Sequence, residues 1–219
     1  MLIENNTVAA HGQMKDTSHI SFFGDPEAAK RILVVGNSIT RHGPNAEIGW
    51  GNRDWGMAAS APEKDFVHLL YSMLVSDGQD IFMRVSQCAE WEWNFRNEDV
   101  LNDYDGDRDF NADIVVFRLG ENIAKDNKPF FKDGMRKFID HICPNGRVLF
   151  TTCFWKNPII DDAIRELAYE RGEVCIDCGF SVDEKNMAIG KFEHRGVAHH
   201  PSDEGMEKIA QAIFEKLKK

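Results

Sequence analysis

Ile32-Leu33-Val34-Val35-Gly36-Asn37-Ser38-Ile39-Thr40 is an apolar run that stops at a Gly-Asn-Ser turn. The opening Ile-Leu-Val-Val has the length and β-branched content of a buried strand. Gly36 permits a sharp turn, and Ser38 then sits where a parallel strand hands over to the next element. In open α/β sheets, ligands gather at the carboxyl ends of the strands, so Ser38 is a candidate nucleophile. The same serine would also suit a helix N-cap after a strand. A base, an oxyanion site and a pocket elsewhere in the chain must decide between the two.

Outward from this stretch, strands and helices alternate. Strands are predicted at 31–36, 80–86, 114–117, 147–152 and 174–176, and helices at 63–76, 91–103, 129–142, 158–171 and 203–217. Phe66, Leu69, Leu70, Met73 and Leu74 recur at helical spacing, as do Phe130, Phe131, Met135, Phe138 and Ile142. Met206, Ile209, Ala210, Ile213, Phe214 and Leu217 give the last helix its apolar face, with Ser202 as its N-cap. Such alternation means a parallel sheet covered on both sides. The predicted class is therefore α/β, a three-layer α/β/α sandwich around a flavodoxin-like five-stranded parallel sheet. Residues 1–219 read as one domain. Residues 1–30 are a polar N-terminal arm that packs on the domain or adds a short strand. Residues 41–62 are a long active-site loop rich in Gly, Asn and Trp, and such loops are usually functional or disordered. Trp50 and Trp55 argue against disorder.

With 219 residues, 42% hydrophobic and 28% charged, the chain is long enough for a full core and ordinary in composition for a soluble domain. No run approaches the roughly 20 apolar residues of a membrane helix, and no signal peptide is evident at the start. A formal charge of −10 disfavours nucleic acid and anionic lipid as partners. The five cysteines, Cys88, Cys143, Cys153, Cys175 and Cys178, are odd in number, which with the lack of a leader predicts reduced thiols and a cytoplasmic location. Cys175-Ile-Asp-Cys178 has redox or half-zinc-site spacing, but no second CxxC completes four ligands, and core packing is favoured. No cofactor is expected.

Four segments fall after strands or before the last helix: Gly36-Asn37-Ser38, Gln87-Cys88-Ala89-Glu90, Gly120-Glu121-Asn122 and His199-His200-Pro201-Ser202. In a doubly wound sheet these converge on one edge. Acyl transfer needs a hydroxyl with a base in hydrogen-bond reach, and histidine suits near neutral pH. The tetrahedral oxyanion needs preorganised donors. Ser38 can attack, and His200 or His199 can take its proton. The Ser38 N–H, the Ala89 N–H and the Asn122 side-chain amide can hold the oxyanion.

This order of blocks resembles the SGNH hydrolases, also called the GDSL-type esterase/lipase family, across residues 31–217. Gly36-Asn37-Ser38-Ile39-Thr40 is similar to the first block, with Asn for the usual Asp. Gly120-Glu121-Asn122 is similar to the Gly-x-Asn block, and His200-Pro201 begins one similar to the last. The resemblance implies Ser38 as nucleophile, His200 as base, and Ser38, Ala89 and Asn122 as oxyanion donors. Two departures stand out. No glycine lies near Gln87-Cys88-Ala89, and Val197 occupies the position three before His200 where the family has an aspartate. Glu193 is the nearest replacement acid. The alternative is a Ser–His dyad with the imidazole held by a backbone carbonyl, which fixes the tautomer but stabilises imidazolium less.

Flat aromatic faces beside a catalytic serine suit sugar rings or acyl chains. Asn37, Trp50, Trp55, Glu90, Trp91 and His199 are accordingly the expected substrate-binding residues, although His199, like His194 and His42, also reads as a solvent-facing residue. A zinc site from His194, His199 and His200 is disfavoured because adjacent histidines rarely point the same way, so no metal is expected. The resemblance implies hydrolysis of small O-acyl esters, acetyl above all, on carbohydrate. A thioesterase or lysophospholipase for longer chains, and a carbohydrate-binding protein that keeps the fold without catalysis, are the alternatives. The oligomeric state is not legible.

Overall fold

The computed structural model describes residues 4–7 and 20–218. Its strands are β1 (Glu4–Thr7), β2 (Ile20–Gly24), β3 (Lys30–Gly36), β4 (Ile81–Gln87), β5 (Ile114–Arg118), β6 (Arg147–Thr151) and β7 (Val174–Ile176). They form one sheet in the order β1-β2-β4-β3-β5-β6-β7. The five from β3 to β7 are parallel to one another and run in the 2-1-3-4-5 order of flavodoxin-like folds. The five predicted strands are all present. What sequence reading left undecided is the arm: Ile20–Gly24 pairs antiparallel with β4, and β1 pairs antiparallel with β2, giving seven strands rather than five. The rest of the predicted arm lies largely outside the described residues.

The helices are α1 (Phe66–Ser76), α2 (Ala89–Asn94), α3 (Asp105–Asp109), α4 (Phe131–Ile142), α5 (Pro158–Arg171), α6 (Arg195–Ala198) and α7 (Asp203–Leu217). Alternate residues of the central strands feed opposite layers, as the strand period of two requires. Leu33, Val35, Val115, Phe117, Val148 and Phe150 pack with α2, α4 and α5. Ile32, Val34, Val116 and Leu149 pack with α1 and α7. The helix predicted over 91–103 is broken into α2 and a 3-10 segment, Glu98–Tyr104, that leads into α3. Phe130, predicted on the buried face of α4, is exposed, because the helix starts one residue later and Phe130 lies in a preceding 3-10 turn. Ser202 caps α7, its side chain accepting from the Gly205 N–H.

Residues 41–62 are ordered by a small core of their own. Trp50, Met57, Ala58, Ala188 and Val197 are buried together, with Ile48, Trp55 and Phe192 packed around them. The loop is tied by bridges between His42 and Trp55 and between Asn45 and Gly51. The Arg41–Asp54 ion pair at 2.7 Å and the Met57 N–H donating to Ser38 O at 2.9 Å fasten it to the end of β3. All five cysteines are unpaired. Cys178 is fully buried, and burial pushes its thiol up to about 12, which makes it packing rather than redox chemistry.

Candidate active site

The turn after β3 is shaped by what surrounds Gly36. A Cβ there would lie 1.8 Å from the Thr40 Oγ1 and 3.2 Å from the Arg118 backbone oxygen, so only glycine lets the chain fold back. Thr40 and Arg41 both donate their N–H groups to Asn37 O. No helix begins at Ser38, which excludes an N-cap role; the residue is half-buried at the tip of the turn. Its Oγ lies 2.8 Å from His200 Nε2.

His200 comes from the segment between α6 and α7. Its Nδ1 lies 2.7 Å from Gly196 O. A carbonyl oxygen only accepts, so Nδ1 carries the proton and Nε2 is the free acceptor facing the Ser38 hydroxyl. Trp155 packs edge-on against the imidazole at 5.1 Å, and its Nε1–H donates to His199 O. Burial pulls His200 down to about 4, with His42 adding a smaller push the same way, against the Gly196 hydrogen bond. Glu193 is not the partner of this imidazole. It is exposed, beside Arg53, Phe192 and His194 in an open groove, and the main-chain oxygen of Gly196 has the place expected of its carboxylate. Val197, at the family's aspartate position, is buried in the small core of the 41–62 loop.

The oxyanion donors expected from the sequence come together in part. The Ser38 N–H makes no hydrogen bond among the described residues. Cys88 N–H donates to Gly36 O at 2.6 Å, which holds the start of α2 against the serine turn. Ala89 has ordinary helical backbone, not a conformation reserved for glycine, but its N–H donates to Gln87 Oε1 at 3.0 Å. Asn122 follows β5 through Gly120, whose φ of +140° suits glycine and whose Cβ would strike Ile160. Asn122 is exposed, and its Nδ2 donates to Glu92 Oε2 at 2.6 Å.

Beneath these loops lies a carboxylate pair that sequence reading missed. Glu92, fully buried on α2, accepts from Gly120 N at 2.5 Å, Asn122 N at 3.4 Å and Asn37 Nδ2 at 3.3 Å, as well as from Asn122 Nδ2. Glu121 receives both terminal nitrogens of Arg118 at 2.7 Å, Asn37 Nδ2 at 2.7 Å and Phe154 N at 3.0 Å. The signal available was Glu92 itself, an acid flanked by two tryptophans at the start of a helix after a strand.

The expected substrate-binding residues divide. Trp50 and Trp91 are fully buried and face cores: Trp91 stacks on Phe138 at 4.6 Å, and Trp50 packs on Trp55 and Phe192. Trp93, two residues on and so on the opposite face of α2, is half-exposed and is the tryptophan of that segment that reaches the surface. Asn37 is buried and knits Glu92 to Glu121, so it builds the turn instead of lining a pocket. Glu90 is buried and holds the Asn94 side chain. Trp55 is partly buried with its Nε1–H on Ala59 O, and the half-buried His199 donates Nδ1–H to Arg195 O. The three neighbouring histidines do not converge: His194 caps α6 by accepting from Val197 N, while His199 and His200 hold different carbonyls. Among the described residues, no group of three His, Cys, Asp or Glu is placed to hold a metal ion, and no helix is long and apolar enough to cross a membrane.

No family model matches the chain, and no curated protein matches it. Solved structures do. They include Axe2, an acetylxylan esterase from Geobacillus stearothermophilus, at TM-score 0.59 and 16% identity over 87% of this chain and 94% of the other. Another is LAE5, an α/β hydrolase enzyme from the metagenome of Lake Arreo, at TM-score 0.57 and 16% identity over 86% and 94%. A third, assigned to the lipolytic G-D-S-L family and from Desulfitobacterium hafniense, has TM-score 0.51 and 13% identity over 85% and 98%. The chain has their fold. Catalytic mutants of Axe2, one at a serine and one at a histidine, are among the similar structures. At 13–16% identity this likeness is one of architecture.

Proposed function

We propose that this protein is a carboxylic ester hydrolase of the SGNH type. Its substrates are small O-acyl esters, acetyl above all, carried on carbohydrate. The observation that carries this reading is the Ser38 Oγ–His200 Nε2 contact at 2.8 Å, with the opposite imidazole nitrogen held by Gly196 O. The reading also draws on its similarity to Axe2, an acetylxylan esterase, and on the Axe2 mutants called catalytic.

In this reaction Ser38 Oγ attacks the ester carbon and gives its proton to His200 Nε2. The negative oxygen of the tetrahedral intermediate is met by the Ser38 N–H and the Asn122 amide, and by the Ala89 N–H if the Gln87 side chain turns away. Each such donor typically supplies about 3 kcal/mol. His200 then returns the proton to the leaving alkoxide, and the acyl group stays on Ser38. Water, deprotonated by the same imidazole, attacks the acyl-enzyme, and the proton goes back to Ser38 as the acid leaves. With no carboxylate behind it, His200 works as a dyad base: Gly196 O fixes its tautomer but adds little to imidazolium stability.

Acetyl ester turnover by the wild type and by Ser38→Ala tests the proposal. Loss of turnover in the variant supports it. Equal turnover in both, or none in the wild type, refutes it in favour of a protein that keeps the fold without catalysis. A series of acyl esters tests the chain-length part, and preference beyond about eight carbons would replace acetylesterase with a long-chain thioesterase or lysophospholipase.

A further inference from the structure

The scheme above leaves Glu92 without a role. Its neighbour Glu121 is neutralised by the buried Arg118, but among the described residues no cation pairs with Glu92. All four described partners of its carboxylate are N–H donors, and they come from the turn after β3 and the turn after β5. Three of them share Oε1, and Asn122 Nδ2 alone takes Oε2. A buried charge is costly unless its hydrogen bonds are satisfied, and here they are satisfied entirely by the loops that carry Ser38 and Asn122.

We propose that Glu92 is a positioning residue for ester hydrolysis at Ser38: it clamps Asn122 Nδ2 through one hydrogen so that the other is aimed at the developing oxyanion. The inference rests on the hydrolase reading. Asn122 is exposed, whereas Asn37, the other side chain on Glu92, is buried. Asn122 Nδ2 therefore has one hydrogen committed to Glu92 Oε2 and one on the open side. Gly120 N, bound to Oε1, sets the turn from which Asn122 projects.

The clamp works through the ionised form. A proton would add to Oε2, which carries Asn122 Nδ2 alone, and a hydroxyl oxygen accepts far more weakly than a carboxylate oxygen, so protonation slackens the hold on Asn122. Asn122, open to solvent, is then free to move. Burial, and then Glu121 beside it, push the Glu92 carboxyl up to about 7, against the pull of the Gly120 and Asn122 donors. The remaining groups facing it add no charge. Cys88 at the start of α2 and Cys153 after β6 are held as thiols by burial. Arg118 is paired with Glu121 Oε1.

The test is Glu92→Gln, which keeps the volume but sets an amide N–H₂ against the Asn122 amide. For a small acetyl ester, kcat is expected to fall about 100-fold, the scale of one lost oxyanion donor, with KM changed less than about twofold. The wild-type kcat should rise with pH through about 7, and that step should vanish in the variant. In an Asn122→Ala background, Glu92→Gln should cost nothing more, because the two act through one donor. Wild-type kcat in Glu92→Gln, or losses that multiply with Asn122→Ala, would overturn the proposal while leaving a Ser38 esterase intact. If the wild type and Ser38→Ala both lack turnover, the hydrolase reading is what has failed. The clamp is then read from the Asn122 side-chain NH₂ resonances of the wild type: a titration near pH 7 sustains it, and pH-independent signals refute it.

Discussion

Lowering the pH probes how His200 is held. Unperturbed histidine titrates near 6.5, and a carboxylate behind the ring would raise that value. Here the ring is held by a neutral carbonyl and enclosed beside Trp155, and burial pulls it down to about 4. At pH 5.5 a base of pKa about 4 is still about 97% neutral, whereas one of 6.5 is about 9% neutral. In Glu92→Gln, which lacks the step assigned to Glu92, the acid limb of kcat/KM on an acetyl ester should therefore fall near pH 4, with roughly tenfold more activity at pH 5.5 than an ordinary histidine would leave. Stability follows the same linkage. The unfolded chain takes up this proton near 6.5 and the folded protein resists it until about 4, so stability falls across that window as pH drops, by up to about 3 kcal/mol. An acid limb near 6.5 or above in that variant would show that the carbonyl is not what holds the ring, and the dyad reasoning would fail.

Further expectations follow from packing. Gly36→Ala places a methyl against Thr40 and the Arg118 backbone, and should cost roughly 1–3 kcal/mol by chemical denaturation. Acetyl ester turnover should fall with it, because Ser38 shifts with the turn. Trp91→Ala should lower stability by about 3–5 kcal/mol, while Trp93→Ala should change it by less than about 0.5 kcal/mol, since the first fills a core and the second is half-exposed. Val197→Asp, which introduces an aspartate three residues before His200, should destabilise by on the order of 3 kcal/mol without raising kcat, because that side chain sits among Trp50, Met57 and Ala58.

β3, β5 and β6 were legible because their centres are covered on both faces and so read as continuous apolar runs. β2 was harder: its alternating burial leaves Ser21-Phe22-Phe23 looking like loop, and only pairing with β4 makes it a strand. Ser38, His200 and Asn122 could be named because their spacing follows strand ends, which topology brings together. The partner of His200 could not, since a main-chain carbonyl leaves no mark in the sequence. The tryptophans misled for a related reason. Proximity to a motif does not say which way a ring points, and Trp91 lies on the face of α2 that packs against Phe138. Glu92 was invisible as a site residue because acids on short helices usually face water. Its burial depends on donors from two other segments.

The hold on His200 comes from a main-chain atom, and this alters how the site tolerates sequence change. A triad can lose its acid through one codon. Replacing Gly196 changes a side chain and leaves its carbonyl in place, so the hold on the ring is lost only when the backbone of residues 195–198 is itself redirected. The catalytic geometry is thus written into the path of the chain, and random substitution has few single steps by which to erase it.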